Sequence, residues 1–492
     1  MTYFFNLIRN NKINILFLFF SYLLIFSSFW IKKTFGNHVY YAEVIYNLFV
    51  NIKGVKDAPN TYKINFILYV INLSIFFTII SLLIFENLKK KIKINFLKSQ
   101  IFNYKIYLLI SALFFLYQFK FHEYIKSYIV YEDYSYLYND PSKIKFDNPK
   151  NKKNLIIIYV ESLEYKIQNL NEIIDYSKIT ENYEKYETNP ILEIDNLDGK
   201  NIYNFKEAPP NAFSIGGLVS SQCSVPFYPS VSTNLKKLKN EKMFCLSDVL
   251  NLFGYQQYYF MTVNKDFHRT DLFKENHHYS IFDNKKIREN YPNADFGWGH
   301  GVYDNILLDA AKKKIKESFN TNQPFNIVIK TTDTHPPYYL ASECNQKRSG
   351  TLEINAHLAF QCSSKLISDF FEDLKLNGVL DNTTVVILGD HLAYDALIKL
   401  YRTHPSRNIY FKMNTEKNYS RLKMNHYDLA PTILDEMGFM PKKINKFGLG
   451  VSLFNNNKNF NYDDHYDLIM DKNILNDFFI RQSLKQIPKR EN

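Results

Sequence analysis

Three apolar runs in this 492-residue chain each end in residues that can hold a cation. LIIIYV (155–160) is followed by Glu161-Ser162-Leu163-Glu164, TVVILG (384–389) by Asp390-His391, and FNIVIKTT (325–332) by Asp333-Thr334-His335. A single carboxylate after a strand often does no more than cap the next helix; three such placements in one chain argue for more. Carboxylate and imidazole are ligands for a hard-to-borderline divalent ion. Glu161, Asp390 and His391 as three protein ligands would leave a fourth position open, the arrangement of a catalytic site rather than a structural one. A cation also makes a neighbouring hydroxyl acidic enough to act as a nucleophile at neutral pH. Ser214, in Asn211-Ala212-Phe213-Ser214-Ile215-Gly216-Gly217, is the candidate, because the small residues after it read as a helix start whose free N–H groups favour an anionic phosphate. The alternative for Ser214 is a plain N-cap.

Those side chains need a scaffold that brings them together. LIIIYV is a continuous apolar run of the kind buried in a parallel sheet, and QYYFM (257–261), FNIVIK (325–330) and TVVIL (384–388) are further runs. Helical patterns at 303–319 and 357–376 lie between them. Strand alternating with helix predicts an α/β fold, a mostly parallel sheet with helices on both faces. Ligands in such sheets sit at the carboxyl ends of the strands, where the candidate residues are.

The first part of the chain is different in kind. Asn14–Ile31 and Ile64–Phe85 are 18 and 22 residues long without a formal charge, and a spanning helix needs about 20 apolar residues. Ile106–Phe119 reaches that length only by including residues 101–105, with Lys105 snorkelling. Residues 1–119 are therefore expected to form a membrane anchor of about three transmembrane helices (14–31, 64–85, 101–119), 120–153 a polar linker, and 154–492 the catalytic domain. Two further apolar segments after the first, and no small-residue cleavage site, argue against a cleaved signal peptide. Lys89, Lys90, Lys91, Lys93 and Lys98 crowd the second loop, which favours a cytoplasmic position for it and puts residues 120 onward outside. The cysteines agree: Cys223, Cys245, Cys344 and Cys362 all lie in the last part and form no CxxC. Two disulfides in an oxidising compartment are the natural reading, four buried thiols the alternative, and three pairings are possible. The net charge of +11 comes from dispersed lysines without the basic stripe that nucleic-acid binding needs, so no nucleic-acid partner is expected, and an anionic bilayer accounts for it.

The succession ESLE, S-I-G-G-L-V-S-S-Q-C (214–223), GDH (389–391) and N-H-Y-D-L-A-P-T-I-L (425–434) resembles the phosphoglycerol transferase branch of the alkaline phosphatase/sulfatase superfamily, over about Asn154 to Phe439. That branch modifies periplasmic glucans in Gram-negative bacteria, and lipoteichoic acid synthases are close relatives. Further blocks match at 245–250, at Gly297-Trp298-Gly299 with Tyr303-Asp304, and at Asp333-Thr334-His335. The resemblance implies an alkaline-phosphatase-like sheet after transmembrane helices in a multi-pass inner-membrane protein with a periplasmic domain. It implies one divalent ion, manganese with magnesium or zinc as alternatives, held by Glu161, Asp390, His391 and Ser214. Ser214 would be the nucleophile that becomes esterified, although relatives usually place Thr there. His335 would contact the phosphate or leaving group. Arg269 would be a phosphate fork and Trp298 a pocket wall, with a solvated Arg and a core Trp as the bland alternatives. Disulfides Cys223–Cys245 and Cys344–Cys362 would flank the site. The implied reaction moves a phosphoglycerol head group from a phospholipid to a glycan through a seryl phosphodiester. The alternatives are phosphoethanolamine transfer, from phosphatidylethanolamine to lipopolysaccharide or capsule, and hydrolysis. Ser224-Val225-Pro226-Phe227-Tyr228 lacks the Arg that a formylglycine sulfatase needs.

Overall fold

The computed structural model describes residues 12–35, 44, 60–91, 103–122, 135–181, 183–186, 188–209, 213–227, 243–267, 270, 275, 277–348, 350–393 and 407–471. They fall into two compact units, residues 1–47 with 55–130, and residues 131–492 with 48–54.

The first unit is helical. Helix α1 runs over Lys12–Phe35, and a second, Lys63–Phe85, continues through a π turn at Ile67–Ile71 into α2, Asn72–Lys91. Both are long and apolar enough to cross a membrane: 23 residues span about 34 Å, against a hydrocarbon core of about 30 Å. Helix α3, Tyr104–Gln118, begins three residues later than the sequence predicts, and its 15 residues reach only about 22 Å. Leu18, Leu82 and Tyr104 pack together at one end, while Lys32 Nζ donates to Gln118 Oε1 at 2.8 Å at the other. Helices α1 and α3 therefore run in the same direction, with α2 opposed. Leu16, Phe20, Phe29, Leu68, Phe76, Leu109 and Leu113 point outward. An outer surface so apolar is unfavourable in water and fits a lipid surround.

The second unit is built on a seven-stranded sheet. Its strands are β1 (Asn154–Val160), β2 (Lys200–Asn201), β4 (Gln256–Met261), β5 (Ser280–Phe282), β6 (Phe325–Lys330), β7 (Thr383–Gly389) and β8 (Phe411–Met413), in the order β2-β8-β7-β1-β6-β4-β5. A separate parallel pair joins β3 (Asn204–Lys206) to β9 (Lys423–Asn425). The five strands from β7 to β5 are parallel, and β8 is antiparallel to β7 and β2. All four predicted core strands are in the parallel part. Alternation along β1 divides the core: Ile156, Ile158 and Val160 face one cluster, with Leu307, Leu308, Ala311 and Ile315 of α6 (Asp304–Asn320) and residues of α7 (Leu352–Leu376). Leu155, Ile157 and Tyr159 face the other, with α4 (Ser214–Cys223), α5 (Leu246–Leu252) and α8 (Leu429–Glu436). Burying each such aliphatic side chain contributes about 1.5–3 kcal/mol.

Residues 135–153, expected as part of a linker, are attached to this unit. Leu137 is buried, Asn139 and Gly448 exchange backbone hydrogen bonds, and Asp147 N–H donates to Phe439 O. Apolar side chains spaced among the polar ones, Leu137, Ile144 and Phe146, explain the difference.

Candidate active site

Register places the first two candidate ligands side by side. Val160 pairs with Gly389 across β1 and β7, so Glu161 and Asp390 leave the sheet as neighbours. Ser162 then turns into the left-handed region (φ 58), rare for a non-glycine residue. There its N–H donates to Asp390 Oδ1 at 3.0 Å, and its hydroxyl donates to Glu161 Oε1 at 2.8 Å. His391 Nδ1–H donates to Leu392 O at 2.9 Å, which turns Nε2 inward, 3.3 Å from Glu161 Oε1 and 3.4 Å from Asp390 Oδ2. Ser214 opens α4, and the cap position belongs to Phe213, so the plain N-cap reading of Ser214 does not hold. Its Oγ lies 3.3 Å from Glu161 Oε2 and 3.3 Å from His391 Nε2. Helix α4 reaches this position because Gly217 packs onto the Asp390 carbonyl, where a Cβ would sit 2.0 Å from the oxygen. Four residues separated by up to 230 positions thus converge.

The cluster carries its own cation. Lys330, the last residue of β6, extends Nζ to 2.6 Å from Glu161 Oε2 and 3.0 Å from Asp390 Oδ2, and donates to Thr331 O at 3.0 Å. Burial works against its charge, but Asp390 and Glu161 outweigh burial and raise its pKa, so it stays an ammonium. Burial likewise raises Glu161, yet Lys330 and His391 together hold that carboxyl well below the usual carboxylate range. Burial lowers His391, and Asp390 and Glu161 push it up to about 9. His426, behind Asp390, is the opposite case: burial lowers it to about 4, so it stays neutral, accepting from Ala208 N–H and donating to Asp390 O at 2.9 Å. Lys330 and His426 were not foreseen as site residues. A lysine closing a core strand is costly without a buried partner, and that was the available signal. The donor set fits a divalent ion: Glu161, Asp390 and His391 are all buried, and each offers a ligand atom within 4.8 Å of the others.

A model of the Sulfatase family matches residues 153–439, more than half of the chain. The chain belongs to the sulfatase family. It is 27% identical over 332 residues to phosphoglycerol transferase I of Escherichia coli and, equally, of Shigella flexneri; the match covers 65% of this chain and 41% of theirs. The chain thus spans about two fifths of the length of the curated relatives it matches. The solved lipoteichoic acid synthase LtaP of Listeria monocytogenes superposes with a TM-score of 0.50 at 18% identity, covering 65% of this chain and 80% of that one, which is a likeness of fold.

Of the other predicted residues in this sulfatase-family domain, His335 lies close enough to Glu161 to help hold its carboxyl down. His335 and Trp298 pack ring to ring at 4.3 Å, with Phe267 edge-on to the indole at 5.3 Å. Arg269 lies outside the described residues. Asp333 does not join the cation cluster. Its Oδ2 accepts from Asp304 N–H at 2.9 Å, while Asp304 accepts from Thr332 and Asp333 N–H at 2.9 and 3.1 Å. This interlock fixes the turn leading to His335. Both disulfides are formed: Cys223–Cys245 joins the end of α4 to the start of α5, and Cys344–Cys362 joins the loop after His335 to α7.

Proposed function

We propose that this chain transfers a phosphoglycerol head group from a membrane phospholipid to a periplasmic or cell-surface glycan, with Ser214 as the nucleophile. The observation that carries the reading is the position of Ser214 Oγ, 3.3 Å from both Glu161 Oε2 and His391 Nε2 in the buried cluster of Glu161, Asp390, His391 and Lys330. Similarity to phosphoglycerol transferase I supports the choice of donor, phosphatidylglycerol, over phosphatidylethanolamine. Apolar helices α1 and α2 suit an enzyme whose donor is a lipid, and two disulfides suit a domain outside the inner membrane.

Glu161, Asp390 and His391 would hold one divalent ion, manganese, magnesium or zinc, which supplies charge to favour the Ser214 alkoxide and to offset the phosphoryl oxygens. Ser214 Oγ forms a bond to phosphorus, the bond to the diacylglycerol oxygen breaks, and diacylglycerol leaves with the proton. A glycan hydroxyl then attacks the same phosphorus, and Ser214 departs and regains its proton. Lys330 keeps Glu161 ionised and holds the Glu161 and Asp390 side chains aligned throughout. His335, propped against Trp298, faces the head group.

The test is mass spectrometry of the Ser214 peptide after incubation with phosphatidylglycerol or phosphatidylethanolamine. A glycerophosphoryl adduct is expected. A phosphoethanolamine adduct would reassign the head group, and no adduct with full activity of Ser214→Ala would eliminate the mechanism.

A further inference from the structure

The two-stranded sheet of β3 and β9 is separate from the seven-stranded one, and both of its strands end against the Asp390-His391 turn. Its parallel register pairs Lys206 with Asn425, so Glu207 and Ala208 follow one strand as His426 follows the other. Each strand end reaches one candidate ligand through a single intermediary. Glu207 Oε1 accepts the Leu392 N–H at 2.9 Å, and Leu392 O accepts His391 Nδ1–H at 2.9 Å. Ala208 N–H donates to His426 Nδ1 at 3.1 Å, and His426 Nε2–H donates to Asp390 O at 2.9 Å. Phe205 of β3 packs edge-on to the His426 ring at 5.1 Å. An imidazole that binds a metal through one nitrogen needs the other nitrogen held, or the ring swings. Leu392 O does this for His391, but a carbonyl aims a ring only if its own residue is fixed. Glu207 is the group that holds Leu392.

We propose that Glu207 and His426 are positioning residues for the ligand pair His391 and Asp390, and that the β3–β9 sheet serves to carry them. The inference rests on the reading that Glu161, Asp390 and His391 hold the divalent ion. Two adjacent residues after β3 control two adjacent ligands, so a displacement of this strand moves both ligands together. The link from Glu207 needs an oxygen acceptor at the Oε1 position and not a negative charge, because its partner is a neutral backbone N–H. The link from His426 needs an acceptor at Nδ1 and a donor at Nε2, and the Ala208 N–H and the Asp390 carbonyl fix that tautomer from either side. Gly217 meets the same Asp390 carbonyl from α4, so the carbonyl lies between the nucleophile helix and the small sheet.

The experiment strips the full chain in detergent with chelator, removes the chelator, and titrates manganese(II) alone, following the free ion by electron paramagnetic resonance. Melting temperatures of the metal-free samples are recorded alongside. Glu207→Leu is expected to bind manganese about 10–100-fold more weakly than wild type. Glu207→Gln keeps an oxygen for the Leu392 N–H and is expected to bind as wild type does. His426→Ala should weaken binding by a similar factor to Glu207→Leu. His426 is fully buried whereas Glu207 is half-buried, so the Glu207 pair decides the matter if His426→Ala does not fold. Wild-type affinity in Glu207→Leu, or a loss in Glu207→Gln as large as in Glu207→Leu, overturns the proposal. Asp390→Asn separates this failure from that of the ligand set. If Asp390→Asn loses the ion while Glu207→Leu keeps it, only the positioning role falls; if Asp390→Asn binds as wild type does, the ligand set falls and the proposal with it.

Discussion

Gly217 and the carbonyl of Asp390 are in backbone contact: a Cβ on residue 217 would lie 2.0 Å from that oxygen. The nucleophile helix and the strand end carrying two candidate metal ligands are thus held in register by the absence of a side chain. Gly217→Ala must push α4 outward and move Ser214 away from Glu161 and His391. Overpacking of this kind costs about 1–3 kcal/mol, and a shift of the order of 1 Å at reacting atoms can cost about 100-fold in rate. We expect Gly217→Ala to lose both turnover and melting temperature, whereas Ser214→Ala loses turnover with its melting temperature kept. Equal stability of Gly217→Ala and wild type would refute the contact.

Lys330 is predicted to hold the acidic pair together. Its ammonium is 2.6 Å from Glu161 and 3.0 Å from Asp390, and both carboxylates are buried. Removing one partner of a buried ion pair costs about 3–5 kcal/mol. Lys330→Met should therefore melt well below wild type in chelator, and added manganese should restore part of the loss by supplying another positive charge. An identical deficit with and without manganese would mean that Lys330 acts by packing alone.

Metal content gives an independent check. Oxidised wild-type protein should carry one tightly held divalent ion per chain. Asp390→Asn removes a charged ligand and should lower occupancy at least tenfold in elemental analysis after dialysis. Undiminished metal in Asp390→Asn would dismiss the proposed ligand set.

How much of this could be read from the sequence follows from burial. Strands β1, β6 and β7 are buried along their whole length and β4 along most of it, so each appears as a largely apolar run. Strands β2, β5 and β8 have two or three residues each and carry no such pattern. Glu161, Asp390 and His391 were legible because a strand's carboxyl end is where an α/β sheet presents its ligands. Lys330 was not, since its partners are 169 and 60 positions away and a lysine after an apolar run also marks an ordinary strand end. Asp333 misled for a related reason: it too follows a core strand, yet it turns toward Asp304 instead of the cation cluster.

That Asp304–Asp333 pair gives the last prediction, a pH dependence of stability. Burial raises the Asp304 carboxyl to about 6 from an ordinary 3.8, despite the Thr332 and Asp333 N–H groups that it accepts from. Asp333 moves the same way, through burial and then through the charge of Asp304. The folded chain therefore holds a proton here more tightly than the unfolded chain does. The stability from this uptake is complete below about pH 4 and is lost as the pH rises through about 6. Asp304→Asn cannot titrate, so it should gain on wild type between about pH 4.5 and pH 7.5, by roughly 2–3 kcal/mol for a shift of this size. Melting curves of the two proteins across that range are the measurement. A difference between them that stays constant with pH would show that Asp304 is ionised in the folded chain as readily as in the unfolded one, and that the turn before His335 rests on its hydrogen bonds alone.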